Sequence, residues 1–168
     1  MELHRQCTRL LHDDHMAATA LLERLGSLFR SSGRGQPPDT RESMIGMLLA
    51  DVISGLGTEI PRHFRFEEEI LFPLLVDAGE ASIVELLNEE HEVIEPLMQR
   101  IAALAREARA KEFTAGSWSE FVRLGGELLE RLLAHIEKEE IGLLPQLEDV
   151  LEGDADADLA SGYVMNQR

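Results

Sequence analysis

Two segments place a histidine four residues before a glutamate inside an otherwise apolar run. They are His63 and Glu67 in "RHFRFEEEILFPLL", and His135 and Glu139 in "AHIEKEEIGLLPQL". On a helix this spacing stacks both side chains on one face, a turn apart, so an imidazole nitrogen and a carboxylate oxygen can grip one cation together. A single such pair is usually a surface ion pair or a hydrogen-bonded core histidine. Here the pair is doubled, and His15 and His91 each follow two acids, in "DDH" and "EEH". Imidazole and carboxylate together are borderline-to-hard ligands, suited to iron, manganese or zinc. A buried carboxylate without counter-charge is very costly, so two of them among four imidazoles call for cations.

The pairs belong to an internal repeat. "DDHMAATALLERL" matches "EEHEVIEPLMQRI", with Arg24 and Arg100 in register. His63 and His135 are each followed by Glu at four and five residues, Leu at eight and Pro at ten. The two halves of the chain therefore read as related helix pairs with two similar half-sites, the symmetry a two-metal centre would have.

Four long helices must carry these residues. The chain has 168 residues, 44% hydrophobic and 29% charged, with few aromatics, which suits one all-α globular domain. Helix 1 is expected from about Glu2 to Phe29, ending at the loop "SSGRGQPPD". Helix 2 is expected from Asp39 or Thr40, capped by Asp39 with Glu42, to about Phe72. A short turn over Ser82–Leu87 leads into helix 3, which reaches Lys111; helix 4 starts at Ser117 with a capping box to Glu120 and ends near Pro145. Short connectors imply an antiparallel up-down-up-down four-helix bundle over residues 1–152, with 153–168 as a polar tail containing at most a short helix. Pro61 and Pro96 fall inside helices and should kink them.

Helical periodicity turns His15, His63, Glu67, His91, His135 and Glu139 into the bundle, one histidine from each helix. The same stripes hold Ile70 and Leu74 on helix 2 and Gly142 on helix 4. If each glutamate bridges two ions, the six residues supply four nitrogens and four oxygens. Two octahedral ions offer about twelve positions, and an oxo or hydroxo bridge takes two, which leaves roughly two open for an exogenous ligand. His12, one turn before His15, reads as a fifth ligand, an alternative to His15 or a group behind it. Glu95, four after His91, reads as facing the site in a metal-ligand or gating role, or else as a partner to Arg106 or a peripheral histidine. Glu68, Glu69, Glu137 and Glu140 read as solvated charge, and Cys7 as a small core filler.

The net charge of −16 disfavours nucleic acid and anionic membrane surfaces as partners. One cysteine excludes an internal disulfide and a thiolate metal site. No apolar run reaches bilayer-spanning length and the first residues lack a signal-peptide core, so the cytoplasm is the expected location.

In combination, "DDH" at His15, "HFRFEEEILFP" at His63, "EEH" at His91 and "HIEKEEIGLLP" at His135 resemble the hemerythrin-like HHE cation-binding family, over about Leu10–Pro145. The resemblance implies a four-helix bundle around a non-haem di-iron centre with carboxylate bridges, held by His15, His63, Glu67, His91, His135 and Glu139. It departs from the oxygen carriers of that family, in which a second histidine stands where this chain has Glu95 and an aspartate five residues after the fourth-helix histidine. The departure argues against simple oxygen carriage. The four-His, two-Glu set looks more like bacterial members tied to oxygen, nitric oxide or peroxide response and to iron handling. Four readings follow: a module that binds or senses a diatomic or peroxide ligand, an enzyme acting on peroxide or nitric oxide, an iron store or donor, or a structural bundle with a zinc site or no metal. A homodimer is compatible with each.

Overall fold

The computed structural model describes residues 3–32 and 35–165, which form five helices and no strand. We label them α1 (Gln6–Ser31), α2 (Ser43–Asp77), α3 (Ala81–Lys111), α4 (residues 115–150) and α5 (Gly153–Met165). The expected start at Glu2, loop residues 33–34 and the tail's last three residues lie outside the described residues. α1 to α4 form the antiparallel four-helix bundle. Each packs on the next, α4 returns to α1, and α5 lies along α1.

Several boundaries differ from expectation, each for a local reason. Asp39 accepts from the Arg41 backbone N–H and guanidinium rather than capping with Glu42, so α2 starts at Ser43. The capping box of α4 is Thr114 with Ser117, one turn earlier than expected, and Glu120 instead binds Arg100 at 2.8 Å. α2 stops at Gly79, whose φ of +100° suits a residue without Cβ, while its N–H bonds Val76 O. Residues 82–87 are simply the first turns of α3, which runs unbroken through Pro96.

α2 and α4 are not regular α-helices throughout. α2 contains π turns at Gly55–Glu59 and Glu67–Leu71, and α4 contains one at Glu139–Leu143. Each closes with an N–H bonded five residues back: Ile60 to Gly55 O, Phe72 to Glu67 O, and Leu144 to Glu139 O. In all three cases the next residue is a proline, Pro61, Pro73 or Pro145. A proline offers no N–H, and its ring collides with the carbonyl four residues back. The extra residue in the turn moves that carbonyl aside, so the chain absorbs each proline without breaking the helix.

The inserted residue also shifts the helical register by one. The buried positions after Glu67 are Leu71, Phe72 and Leu75, not the expected Ile70 and Leu74, and Ile70 is exposed. After Glu139 they are Leu143, Leu144 and Leu147, while Gly142 is only half-buried, and a Cβ there would meet the Ile83 side chain at 2.5 Å.

The bundle interior divides into two apolar clusters. One contains Leu22, Val52, Met98, Trp118 and Phe121; the other contains Cys7, Leu11, Leu71, Leu87 and Leu147. Burying each such leucine stabilises the fold by about 1.5–3 kcal/mol. α2 does include a stretch long and apolar enough to span a bilayer, contrary to the sequence expectation. A core helix passes the same test, and that stretch supplies Leu48, Leu49, Val52 and Leu56 to the first cluster. Along every bundle helix, the polar layer described next falls between the two clusters.

Candidate metal centre

His15, His63, Glu67, His91, His135 and Glu139 all lie in that layer, and each is at most 4% exposed. They form two overlapping groups. His15, His63, Glu67 and Glu139 offer ligand atoms within 4.8 Å of one another, and so do Glu67, His91, His135 and Glu139. Both glutamates belong to both groups, as bridging carboxylates would. His15 Nε2 and His63 Nε2 stand 3.2 Å apart, and His91 Nε2 and His135 Nε2 stand 3.0 Å apart.

The outer nitrogen of every ring is held by a carboxylate from another helix. His15 Nδ1 donates to Glu140 at 2.6 Å, and His91 Nδ1 to Glu68 at 2.7 Å. His135 Nδ1 donates to Glu90 at 3.0 Å, and His63 Nδ1 to Asp14 at 3.2 Å. Carboxylates only accept, so the proton of a neutral ring sits on Nδ1 and the Nε2 lone pair faces the centre. Carboxylate-oriented imidazoles of this kind are what metal-ligating histidines need.

The pattern of these carboxylates follows the sequence repeat. The acids directly before His15 and His91, Asp14 and Glu90, hold the histidines of α2 and α4. The acids directly after Glu67 and Glu139, Glu68 and Glu140, hold those of α3 and α1. Reading Glu68 and Glu140 as solvated charge is therefore corrected. The signal was present in "DDH", "EEH" and the doubled acids after each glutamate, but a helical wheel of one helix cannot show what reaches across to its neighbour.

All four carboxylate oxygens of Glu67 and Glu139 are buried without a hydrogen-bond partner. Glu139 oxygens lie 2.9 Å from His135 Nε2 and 3.0 Å from His15 Nε2, and a neutral ring whose proton sits on Nδ1 has none to give them. Atoms that crowd together without bonding one another are arranged as co-ligands of a shared ion. Leaving such groups unpartnered in the interior would cost several kcal/mol each. The site therefore fits a pair of cations bound by nitrogen and oxygen.

In the metal-free chain the layer pairs internally instead. Burial pulls the His15 ring down, but contacts with Glu139 and Glu140 outweigh it and push it up to about 9. Burial likewise opposes, and Glu67 and Asp14 overcome it, to raise His63 well above its ordinary value. His135 is raised against burial by Glu139 and Glu90. Glu139 is held well below the usual carboxylate range, because the surrounding imidazoles exceed the cost of burying it.

Two sequence candidates stand outside both groups. His12 is half-buried on the rim, where Nδ1 meets Glu140 at 3.0 Å, behind His15 rather than beside the centre. Glu95 is exposed and accepts from Gln99 at 3.3 Å. Its expected inward position came from a stripe drawn too wide around His91 and Met98. The sequence reading also missed Tyr163 on α5, which is 2% exposed and donates to Asp14. Phe64 stacks on His91 with ring centroids 3.7 Å apart and walls that half of the layer. A cavity of about 560 Å³ between α1 and α2 is lined by Ala17, Leu21, Gly55, Ile60 and Phe64 and reaches His15, His63, His135 and Glu139.

The hemerythrin family profile, described as the hemerythrin HHE cation-binding domain, matches residues 7–147. The iron-sulfur cluster repair protein DnrN of Neisseria gonorrhoeae is 32% identical over 104 residues, covering 60% of this chain and 64% of that protein. The aligned part of the chain thus spans a little under two thirds of that relative's length.

Proposed function

The chain belongs to the hemerythrin HHE cation-binding family, and from that premise we propose that it holds two iron ions and binds or responds to oxygen, nitric oxide or peroxide. His15, His63, His91 and His135 would hold the ions through their inward nitrogens, with Glu67 and Glu139 supplying carboxylate oxygens to both groups. The observation that carries this reading is the set of four buried, unpartnered carboxylate oxygens facing four inward imidazole nitrogens. Nitrogen and oxygen ligation admits manganese or zinc as well. Iron, when bound, supplies one-electron redox chemistry and open coordination positions.

The chain's own residues do the rest. Asp14, Glu68, Glu90 and Glu140 fix the ring orientations, and the two apolar clusters close the layer toward both ends of the bundle. The cavity between α1 and α2 gives a small molecule a route to the His15–His63 side, while Phe64 and Phe72 pack against His91. The name of the gonococcal relative favours a second reading, an iron donor to damaged clusters. Anaerobic purification with metal analysis and optical spectra, before and after oxygen or nitric oxide, tests the proposal. Two iron ions per chain and a spectral change on gas addition are expected. A metal-free chain would overturn it. Loaded iron that ignores both gases but passes to a chelator or an apo-cluster acceptor would favour the donor reading.

A further inference from the structure

The repeat that builds the layer is broken beside His63, and the break is filled from outside it. In the second half, Glu90 orients His135 and is itself held by Lys138 Nζ at 2.7 Å. Lys138 stands three residues after His135; the corresponding position after His63 is Phe66. Phe66 has no donor, so the residue at that place on α2 cannot hold Asp14 as Lys138 holds Glu90, and Arg62 of α2 acts on Asp14 through its charge. Instead Tyr163 lies against Phe66 with ring centroids 4.4 Å apart, donates to Asp14 Oδ2, and brings its oxygen within 3.3 Å of His63 Nδ1. Tyr163 belongs to α5, beyond the segment that matches the family.

α5 is anchored at its other end too. Asp156 accepts from the backbone N–H groups of Gln6 and Cys7 at 2.8 Å, joining the first turn of α5 to the first turn of α1. Tyr163 is therefore delivered by a docked helix.

We propose that Tyr163 is a positioning residue for His63, acting through Asp14, so that metal retention in the His15–His63 half-site depends on the docked C-terminal helix. The His91–His135 half-site has its own lysine and does not depend on it. The two ions are thus held unequally. Groups behind a metal-ligating histidine typically contribute about 10–100-fold to metal affinity.

This inference rests on the metal reading above, and the test separates the two. The full chain is loaded with ferrous ion without oxygen, and transfer to a chelator is followed in time. In Tyr163→Phe, which keeps the ring on Phe66 and removes only the hydroxyl, one of the two ions should leave about tenfold faster and the other at its original rate. Asp14→Asn should give the same fast phase, and adding Tyr163→Phe to it should change nothing further. Phe66→Lys in the Tyr163→Phe background should slow the fast phase again. Lys138→Met should speed the other ion instead. A loaded Tyr163→Phe chain that releases both ions at wild-type rates overturns the inference, as does equal acceleration of both, which marks general loosening. A wild-type chain that takes up no metal overturns this inference together with the reading beneath it.

Discussion

The metal-free and metal-loaded forms should respond to pH in opposite directions. In the metal-free chain the His15 ring is raised from 6.5 to about 9 by its carboxylate neighbours. A raised imidazole contributes stability that is fully present below pH 6.5 and is lost as pH rises through about 9. His63 and His135 are raised as well and add to the same loss. A metal ion needs the neutral ring, so it must displace these protons. At pH 7 the His15 proton alone should weaken apparent metal affinity roughly a hundredfold relative to a fully deprotonated ring, since it sits about two pH units below that group's titration point. Thermal melts of the chelated chain should therefore fall between pH 6.5 and 9. Calorimetric titration with zinc or ferrous ion should show affinity rising by at least tenfold per pH unit over much of that window, with proton release that scales with the ionisation enthalpy of the buffer. Metal affinity independent of pH, with no proton release, would refute the arrangement of ligands and carboxylates described above.

Other perturbations have equally definite outcomes. His63→Ala should lose metal and thermal stability together, because it leaves the buried Glu67 without one of its imidazole partners and Asp14 without its ring; metal analysis and melting of the same preparation check this. Glu68→Gln should keep the fold but weaken metal binding about 10–100-fold, since it removes the carboxylate behind His91; competition with a chromophoric chelator measures it. Glu148 accepts from the backbone of His4 and Arg5 and from Thr8, which outweigh burial and lower its pKa. Its contribution is present above the unfolded value of 4.5 and lost as pH falls through the lower folded value, so Glu148→Gln should cost about 1–2 kcal/mol at neutral pH and less in acid, as denaturant titration at two pH values would show. Gly125→Ala should destabilise, because a new methyl group meets the Phe29 ring head-on; a melt against wild type reads the loss.

The bundle was legible because apolar residues recur at helical spacing on four long segments, and short connectors leave one simple way to join them. The convergence of the six core acids and imidazoles was legible for the same reason: each sits on an apolar stripe where a charge has no other explanation. The register after Glu67 and Glu139 was not, although its cause is printed in the sequence. Pro73 and Pro145 each force a wider turn, and an evenly wound helix carries that error forward to Ile70, Leu74 and Gly142. Asp14, Glu68, Glu90 and Glu140 escaped because their partners are on other helices. Tyr163 escaped because a polar tail has no periodicity to announce that one of its side chains reaches the middle of the bundle.

Anomalous diffraction at the iron edge, from crystals grown without oxygen after ferrous loading, addresses the central claim most directly. The account predicts two peaks inside the bundle, both in contact with Glu67 and Glu139, one beside His15 and His63 and the other beside His91 and His135. Iron found only at surface acids, or an iron-free layer in which the six side chains bond one another or water, would contradict it.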